Sequence, residues 1–542
     1  MSKKMSKAIL AVMVVSMLVT GCSSNKAVSN EVGQGDKQVG NIAEQLNLEG
    51  LPIVEKQVTL KVAATRGSNM VVPYSDMPVL KEFEEKTNVK IQWEEIDSSA
   101  KAEKINLMFS SNTLPDVFYG GMLTDEQLVK FAQTGAIMPL NDLIDKYAPN
   151  LKAFMDSRPD YVQNITLPDG NIYSLAGLIE EERNISTQNM FINKKWLDNL
   201  GLEVPTTSDE LYEVLKAFKT KDPNGNGKAD EIPFSVTEKF YSIHTMFGMF
   251  GLPDRTSHLS VKDGKVIYTA IEPEYKEGIK YFNKLYTEGL LDSEMFVQDL
   301  SKLKAKGHNA DNILGMTILF WPDDAIPRDR QDEYIHLQPL KGPNGDQLVA
   351  RNTVAPGLGR NAFTITSKCE NPELAIRWAD EWCKEINALQ ALNGTQDEAW
   401  GYLDKGKWET YNNRELPEGM TYDQYRHTQS PGASSFYFIP KDLADKRVLD
   451  PMNQAQHERY LAYMPYVEPA ENILPPLYLS PEDQNEISAL SQDIKNYVEQ
   501  KRAKWITEGG IDKEWDEYIG AVEKLNVNRL LEIYQNALDA LK

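Results

Sequence analysis

The stretch 222-DPNGNGKADE-231 places oxygen-bearing side chains at alternate positions: Asp222, Asn224, Asn226 and Asp230, with Gly227 among them. Alternate residues turn their oxygens inward when a short loop wraps a hard cation, and a glycine at the sixth place permits the sharp turn. Counted from Asp222 as position 1, side-chain oxygens fall at 1, 3, 5 and 9, and the Lys228 carbonyl stands at 7. This is the EF-hand spacing for Ca2+. Position 12 departs from it: Pro233 stands where an EF-hand has a bidentate glutamate. Glu231, beside Asp230, could supply that ligand instead. A calcium sensor opens an apolar groove between paired helices, and this loop has no paired partner. A structural calcium clip is therefore preferred to a sensor and to a plain polar turn. The loop is not a P-loop, because Asp222 occupies the required first glycine and Ala229 the hydroxyl position.

Other constellations carry less. The six histidines are scattered, with no HExxH and no close pair, so no transition-metal site is expected. There is no GxSxG. Gly357, Gly359 and Ala362 fit GxGxxA, but 361-NAFTITS-367 reads as a strand and not as a helix opening on phosphates. Acid pairs such as Asp323-Asp324 are expected as solvated surface among 80 carboxylates. The aromatics say more. Trp93, Trp196, Trp378, Trp382 and Trp515 sit at core-facing positions of regular elements. Trp321, Trp400 and Tyr119 are placed on loops at strand ends, where a flat ring can stack on the apolar face of a sugar. Arg66 and Asn189 are polar ligand candidates by the same strand-end logic.

The elements that must position these groups follow from periodicity. In 57-QVTLKVAATRG-67, Val58, Leu60 and Val62 alternate as in a strand, and 89-VKIQW-93 alternates again. Helical patterns lie between them and near 101–112, before the apolar 114-LPDVFYG-120. That order is the signature of a parallel sheet with helices on its faces. The stretch 205–222 predicts a helix, with Thr207 and Glu210 as a capping box and Leu211, Val214, Leu215 and Phe218 on one face. The segments 313–321 and 361–367 predict strands, and the chain beyond Ser480 predicts helices broken at Gly509-Gly510. Residues 401–470 give no clear pattern.

With 542 residues the chain is too long for one compact core, so two or more lobes are expected. The net charge of -22 argues against nucleic acid and against electrostatic docking on anionic membranes. The start, 1-MSKKMSKAILAVMVVSMLVTGC-22, has three lysines, a short apolar run and small residues before a cysteine, as in a processed targeting segment. Its end resembles the bacterial lipobox. That implies cleavage before Cys22, acyl chains on Cys22, and a protein anchored at the outer face of the cell membrane. Residues 22–55 read as a flexible tether. Of the remaining cysteines, Cys369 precedes a predicted helix 371–385 and Cys383 lies near its end. About 18 Å of helical rise separates them, more than a disulfide spans. Two free thiols are expected.

The run 189-NMFINKKWLDNLGLEVPTTSDELYEVLKAFKTKDPNGNGKADEIPFS-235 resembles the large lipoprotein-type solute-binding proteins of carbohydrate ABC importers. Similar family stretches are 112-NTLPDVFYG-120, 167-LPDGNIYSLA-176, 371-NPELAIRWAD-380 and 497-YVEQKRAKWITEGGIDKEWDEYI-519. The resemblance implies an α/β fold with two lobes of the maltose-binding-protein type, a hinge, and a helical C-terminus. It implies an N-lobe of 56–172 with about 350–420, and a C-lobe of 173–349 with about 421–542 that carries the calcium loop. It further implies a monomer that closes on an oligosaccharide and docks on a permease pair, and that performs no chemistry. By the same resemblance the calcium ligands are Asp222, Asn224, Asn226, the Lys228 carbonyl, Asp230 and Glu231. One departure is 393-NGTQDEAWGY-402, where relatives often carry a G-I-E-G-type segment. The alternatives are a calcium-stabilised surface glycosidase or lyase, and a ligand-sensing lipoprotein.

Overall fold

The computed structural model describes residues 42–541 apart from 68–69, 182–184, 187, 239–240, 353–356, 412–416, 418–419, 421 and 433–434. The targeting segment 1–21, Cys22 and the first part of the expected tether lie outside the described residues.

The chain moves between two main sheets. It opens with β1 (Val58–Arg66), β2 (Val89–Asp97), β3 (Val117–Tyr119) and β4 (Leu175–Ile179) in the first sheet. It then supplies β5 (Asn189–Asn193), β6 (Ile232–Ser235), a separate hairpin of β7 (Leu259–Lys262) and β8 (Lys265–Tyr268), β9 (Leu314–Leu319) and β10 (Tyr334–Leu337). It returns for β11 (Leu358–Ile365), then β12 (Trp400–Tyr402), β13 (Trp408–Thr410), β14 (Phe438–Ile439) and β15 (Arg447–Val448). The first sheet has the order β14-β4-β11-β3-β1-β2, and the second β10-β5-β9-β6. Strands β12, β13 and β15 form a small third sheet.

Alternation in β1 explains the layers of the first lobe. Leu60, Val62 and Ala64 enter the core on one face, with Phe83, Trp378 and Trp382, while Ala63 enters the core on the other, with Met108 and Phe131. A strand turns successive side chains to opposite faces, and both faces here are covered by helices. The second lobe has its own core, in which Trp196, Leu215, Phe218, Phe234 and Met316 meet residues of the C-terminal helices such as Val498 and Trp505. Each such side chain contributes about 1.5–3 kcal/mol when fully buried.

Three crossings join the lobes, and two of them fall later than the sequence-based boundaries. Leu178 pairs with Leu358 in the first sheet, so β4 belongs there and the chain leaves only after Ile179 rather than at 172/173. Phe438 pairs with Leu178, and Arg447 with Trp408, so the final departure follows Val448 rather than 420/421. The apolar run 175-LAGLI-179 carries no mark of which sheet it will join, and only its pairing with β11 assigns it.

The tether also ends earlier than expected. Residues 42–55 lie on the first lobe, with Ile53 and Val54 buried in its core. The Ile53 N–H donates to the Thr87 carbonyl at 2.9 Å. The buried Arg377 donates to the carbonyls of Asn47 at 2.9 Å and Gly50 at 3.3 Å. Two apolar residues and a distant arginine hold a segment whose composition is polar.

The predicted helix 371–385 is broken. It runs Pro372–Glu381, and a second helix follows at Glu385–Asn393. Cys369 and Cys383 are both free thiols. The C-terminal helices are Pro481–Glu508, Ile511–Lys524 and Val527–Asp539, with the break at Gly509 and Gly510. Among the described residues no helix is long and apolar enough to cross a membrane.

Candidate functional site

Strand directions bring one edge of each sheet to face the other lobe. In the first sheet, β1 runs parallel to β2 and β3, and antiparallel β11 returns it parallel to β4. The C-terminal ends of β1 to β4 therefore share an edge with the start of β11, and two crossings connect at that edge. In the second sheet Asn189 pairs with Leu319, Met190 with Leu337, and Ser235 with Thr317. The start of β5 and the ends of β6, β9 and β10 thus share the edge that the crossings reach. The groove between these edges is the candidate ligand cleft.

The predicted ligand residues divide over this geometry. Arg66 ends β1 on the first-lobe edge, with its side chain 39% exposed and 3.8 Å from Glu95. Asn189 opens β5 on the facing edge, where its Oδ1 lies 3.3 Å from His336 Nε2. Trp321 follows β9 at the same edge as Asn189, half-buried, with its ring edge-on to Phe320 at 5.2 Å. Tyr119 and Trp400 do not reach the cleft. Tyr119 is fully buried between Trp93 and Trp378, at 5.7 and 5.9 Å. Trp400 is fully buried in β12, packs edge-on to Trp408, and donates its indole N–H to the Gly394 carbonyl at 2.9 Å. Both rings were expected on loops, and both sit in strands, Tyr119 in the wholly buried β3 and Trp400 at the buried start of β12.

Sequence reasoning missed a polar cluster beside Trp321. Tyr241 is 4% exposed and donates its hydroxyl to Asp324, whose Oδ2 also accepts the Trp321 N–H at 3.3 Å. Burial raises the Asp324 carboxyl, against these hydrogen bonds. Behind the cluster lies a buried chain of ionisable groups. Asp254 Oδ2 meets His244 Nδ1 at 2.7 Å, and its Oδ1 meets His258 Nδ1 at 3.1 Å. His258 Nε2 lies 3.4 Å from Glu499, and His244 Nε2 accepts from Arg502 at 2.9 Å. Burial pushes His258 down, but Asp254 and Glu499 outweigh it and carry it up to about 9. Burial, reinforced by Arg502, pushes His244 down to about 4. His244, Asp254 and His258 have the composition of a metal site. Each histidine Nδ1 is hydrogen-bonded to Asp254, and the Arg502 guanidinium lies against His244 Nε2, where its positive charge disfavours a cation. No local sequence signal marks this chain, since Arg502 and Glu238 are 264 residues apart.

The oxygen-rich loop is positioned by a helix and a strand. Helix Ser208–Thr220 starts with both halves of the Thr207/Glu210 capping box and buries Leu211, Val214, Leu215 and Phe218. It packs on the second sheet at Gly315, where an added Cβ would come within 2.7 Å of both the Phe218 ring and the Pro233 carbonyl. Loop 222–231 lies between this helix and β6. Asp222, Gly225 and Gly227 adopt positive φ, the left-handed turns that such a loop requires. Gly227 N–H donates to Asp222 Oδ2 at 3.0 Å, and Asn226 Nδ2 donates to Asp230 Oδ1 and Oδ2, each at 3.1 Å. Lys228 turns its amine outward to Asp311 at 2.5 Å, which keeps the ammonium charge away from the loop oxygens. Glu231 Oε1 is buried without a hydrogen-bond partner. Burial raises the Glu231 carboxyl, and the nearby Asp222 and Asp230 charges raise it further. Three carboxylates and two amide oxygens in one short loop, one carboxylate oxygen orphaned, form a donor set that fits a hard divalent cation.

Two α/β lobes joined by three crossings, with facing strand-end edges, define a binding protein that holds its ligand between lobes. The chain belongs to the bacterial extracellular solute-binding protein family, which its residues 68–382 match. It is 36% identical over 514 residues to the fructooligosaccharide ABC transporter substrate-binding protein FusA of Streptococcus pneumoniae, covering 91% of this chain and 92% of FusA. The structure of FusA in complex with kestose superposes with a TM-score of 0.78 at 34% identity, covering 89% of this chain and 99% of that one. A FusA EF-hand mutant in complex with fructo-nystose gives 0.78 at 33% identity, covering 89% and 99%. The fold is of the maltose-binding type. The family is one of binding proteins, not enzymes, which sets the glycosidase or lyase alternative aside.

Proposed function

We propose that this chain captures an oligosaccharide between its lobes and delivers it to the permease pair of an ABC importer. The observation that carries this reading is the 36% identity to FusA across 91% of the chain, because it spans both lobes and every crossing. Fructooligosaccharides are the first ligand class to test. The cleft would bind through Trp321 stacking, with Arg66 and Asn189 donating to or accepting from hydroxyls. Closure is a shift between two lobe arrangements, driven by the ligand's stronger interaction with one of them.

Loop 222–231 would hold one Ca2+ through Asp222, Asn224, Asn226, the Lys228 carbonyl, Asp230 and Glu231. The ion would supply charge neutralisation for three converging carboxylates and so tie the helix Ser208–Thr220 to β6. Acyl chains on Cys22 would anchor the protein at the extracellular face of the membrane, and it would act as a monomer.

The test is isothermal titration of the lipid-free protein with kestose and with unrelated oligosaccharides, followed by chromatography of the recovered sugar. Saturable binding of intact kestose is expected. Absence of binding to every fructan tested would remove this ligand class, and cleaved sugar would overturn the transport reading.

A further inference from the structure

The loop that carries Tyr241 is held from behind the cleft. Val236, Thr237 and Glu238 follow β6 at the edge facing the first lobe, and the described chain resumes at Tyr241 and Ser242. Thr237 and Tyr241 are joined directly: Thr237 N–H donates to the Tyr241 carbonyl at 3.0 Å, and Tyr241 N–H donates to Thr237 Oγ1 at 2.9 Å. Glu238 on this loop points inward. Its Oε1 accepts from Arg502 Nη1 at 2.6 Å and also from Nη2. Arg502 is fully buried on the long helix Pro481–Glu508, and its Nη2 also reaches His244 Nε2 at 2.9 Å. At the loop's other end, Tyr241 bonds Asp324, and Asp324 bonds the Trp321 N–H. One guanidinium therefore anchors a loop that in turn sets the side chains flanking Trp321.

We infer that Arg502 is a positioning residue for the ligand cleft: through Glu238 and the adjacent Thr237 it fixes Tyr241, and with it Asp324 and Trp321, without reaching the ligand itself. This rests on the binding reading above. A buried ion pair is often replaceable by apolar residues without loss of stability, so stability alone does not account for Glu238 and Arg502 as ions. Placing a loop is what the ionic form adds. Glu238 faces Arg502 and Glu499 from the long helix, His244 from the 3-10 turn Ile243–Phe250, and His258 from the following loop. Its Oε2 is buried without a partner. Burial carries the Glu238 carboxyl up to about 7, so protonation near neutrality weakens the anchor.

The test compares Arg502→Met, Arg502→Lys and Glu238→Ala with the wild type. Hydrogen exchange of the ligand-free protein is read over peptides covering 236–242, and kestose affinity over a pH series. A loop competent a tenth of the time raises the apparent Kd about tenfold, and local opening raises amide exchange in that peptide alone. Faster exchange confined to 236–242, with weaker kestose binding in Arg502→Met and Glu238→Ala and recovery in Arg502→Lys, is the expected result. Wild-type affinity should fall as pH drops through the Glu238 value of about 7, and Glu238→Ala should lose that dependence. Unchanged exchange at 236–242, or acceleration spread evenly across the second lobe, would overturn the inference. If Arg502→Met does not fold, Glu238→Ala decides, because Glu238 sits on a loop and leaves Arg502 beside Glu499. If the wild type binds no oligosaccharide, exchange still decides the positioning claim while the ligand reading fails separately.

Discussion

Glu231 and Asp222, nine residues apart in a loop that turns back on itself, interact: Asp222 raises the Glu231 carboxyl, and Glu231 Oε1 is buried with no partner. A cation between them would remove both costs. With calcium at about a hundredfold over its dissociation constant, the folded state gains about 2.7 kcal/mol. The thermal midpoint should therefore fall when chelator is added, and Glu231→Gln should shrink the difference. The sign with pH is definite. Without calcium, Glu231's contribution is complete below its ordinary value of 4.5 and is lost as pH rises through the raised one. Calcium requires the charged form, so the gap between calcium and chelator should widen with pH. A midpoint indifferent to chelator at every pH would remove the calcium reading.

The buried histidines predict opposite pH limbs. His258 is raised to about 9, so its stabilising contribution is full below 6.5 and is lost as pH rises through about 9. His244 is lowered to about 4, so its contribution is full above 6.5 and is lost as pH falls through about 4. Replacing His258 by Asn leaves the buried Asp254 charge without its cationic partner, held by His244 and the Thr269 hydroxyl, and should cost about 3–5 kcal/mol. Urea unfolding of the variant at pH 7 and pH 10 checks this: the deficit should be larger at pH 7.

Trp321 and Trp400 should separate binding from stability. Trp400→Ala empties a fully buried site and should cost about 3–5 kcal/mol of stability. Trp321→Ala should leave the unfolding midpoint nearly unchanged and weaken oligosaccharide binding about tenfold or more, equivalent to about 1.4 kcal/mol. Titration calorimetry and urea unfolding on both variants read the two effects apart, and a Trp321→Ala protein that binds as well as wild type would remove that ring from the cleft.

Both thiols should be unreactive in the folded protein. Burial pushes Cys369 up to about 12, and loss of solvation pushes the half-buried Cys383 well above its usual value. A thiol reagent at pH 8 should label neither until denaturant is added, and then label both. Rapid labelling of the native protein would contradict the burial.

Much of this protein was legible from local pattern. Thr207 and Glu210 form the capping box that their spacing predicts, because both partners lie within one helical turn. Loop 222–231 is legible for the same reason: its donors are sequence neighbours, and glycine at 227 marks the turn. Val58, Leu60 and Val62 announce a strand because alternation is a property of single strands.

What only the tertiary structure decided concerns partners far apart in the chain. The sheet to which 175-LAGLI-179 belongs follows from hydrogen bonds to β11, some 180 residues later, and no local pattern encodes that choice. The fate of Tyr119 and Trp400 was decided likewise, because an aromatic ring at a strand end becomes cleft wall or core according to what covers it. The Glu238–Arg502 anchor joins residues 264 apart. The sequence by itself determined the lobes' building blocks, the oxygen-rich loop and the family, since these rest on periodicity and short-range spacing. The cleft, its supporting polar cluster and the folded 42–55 segment required the third dimension, because burial and charge pairing depend on which distant surfaces meet.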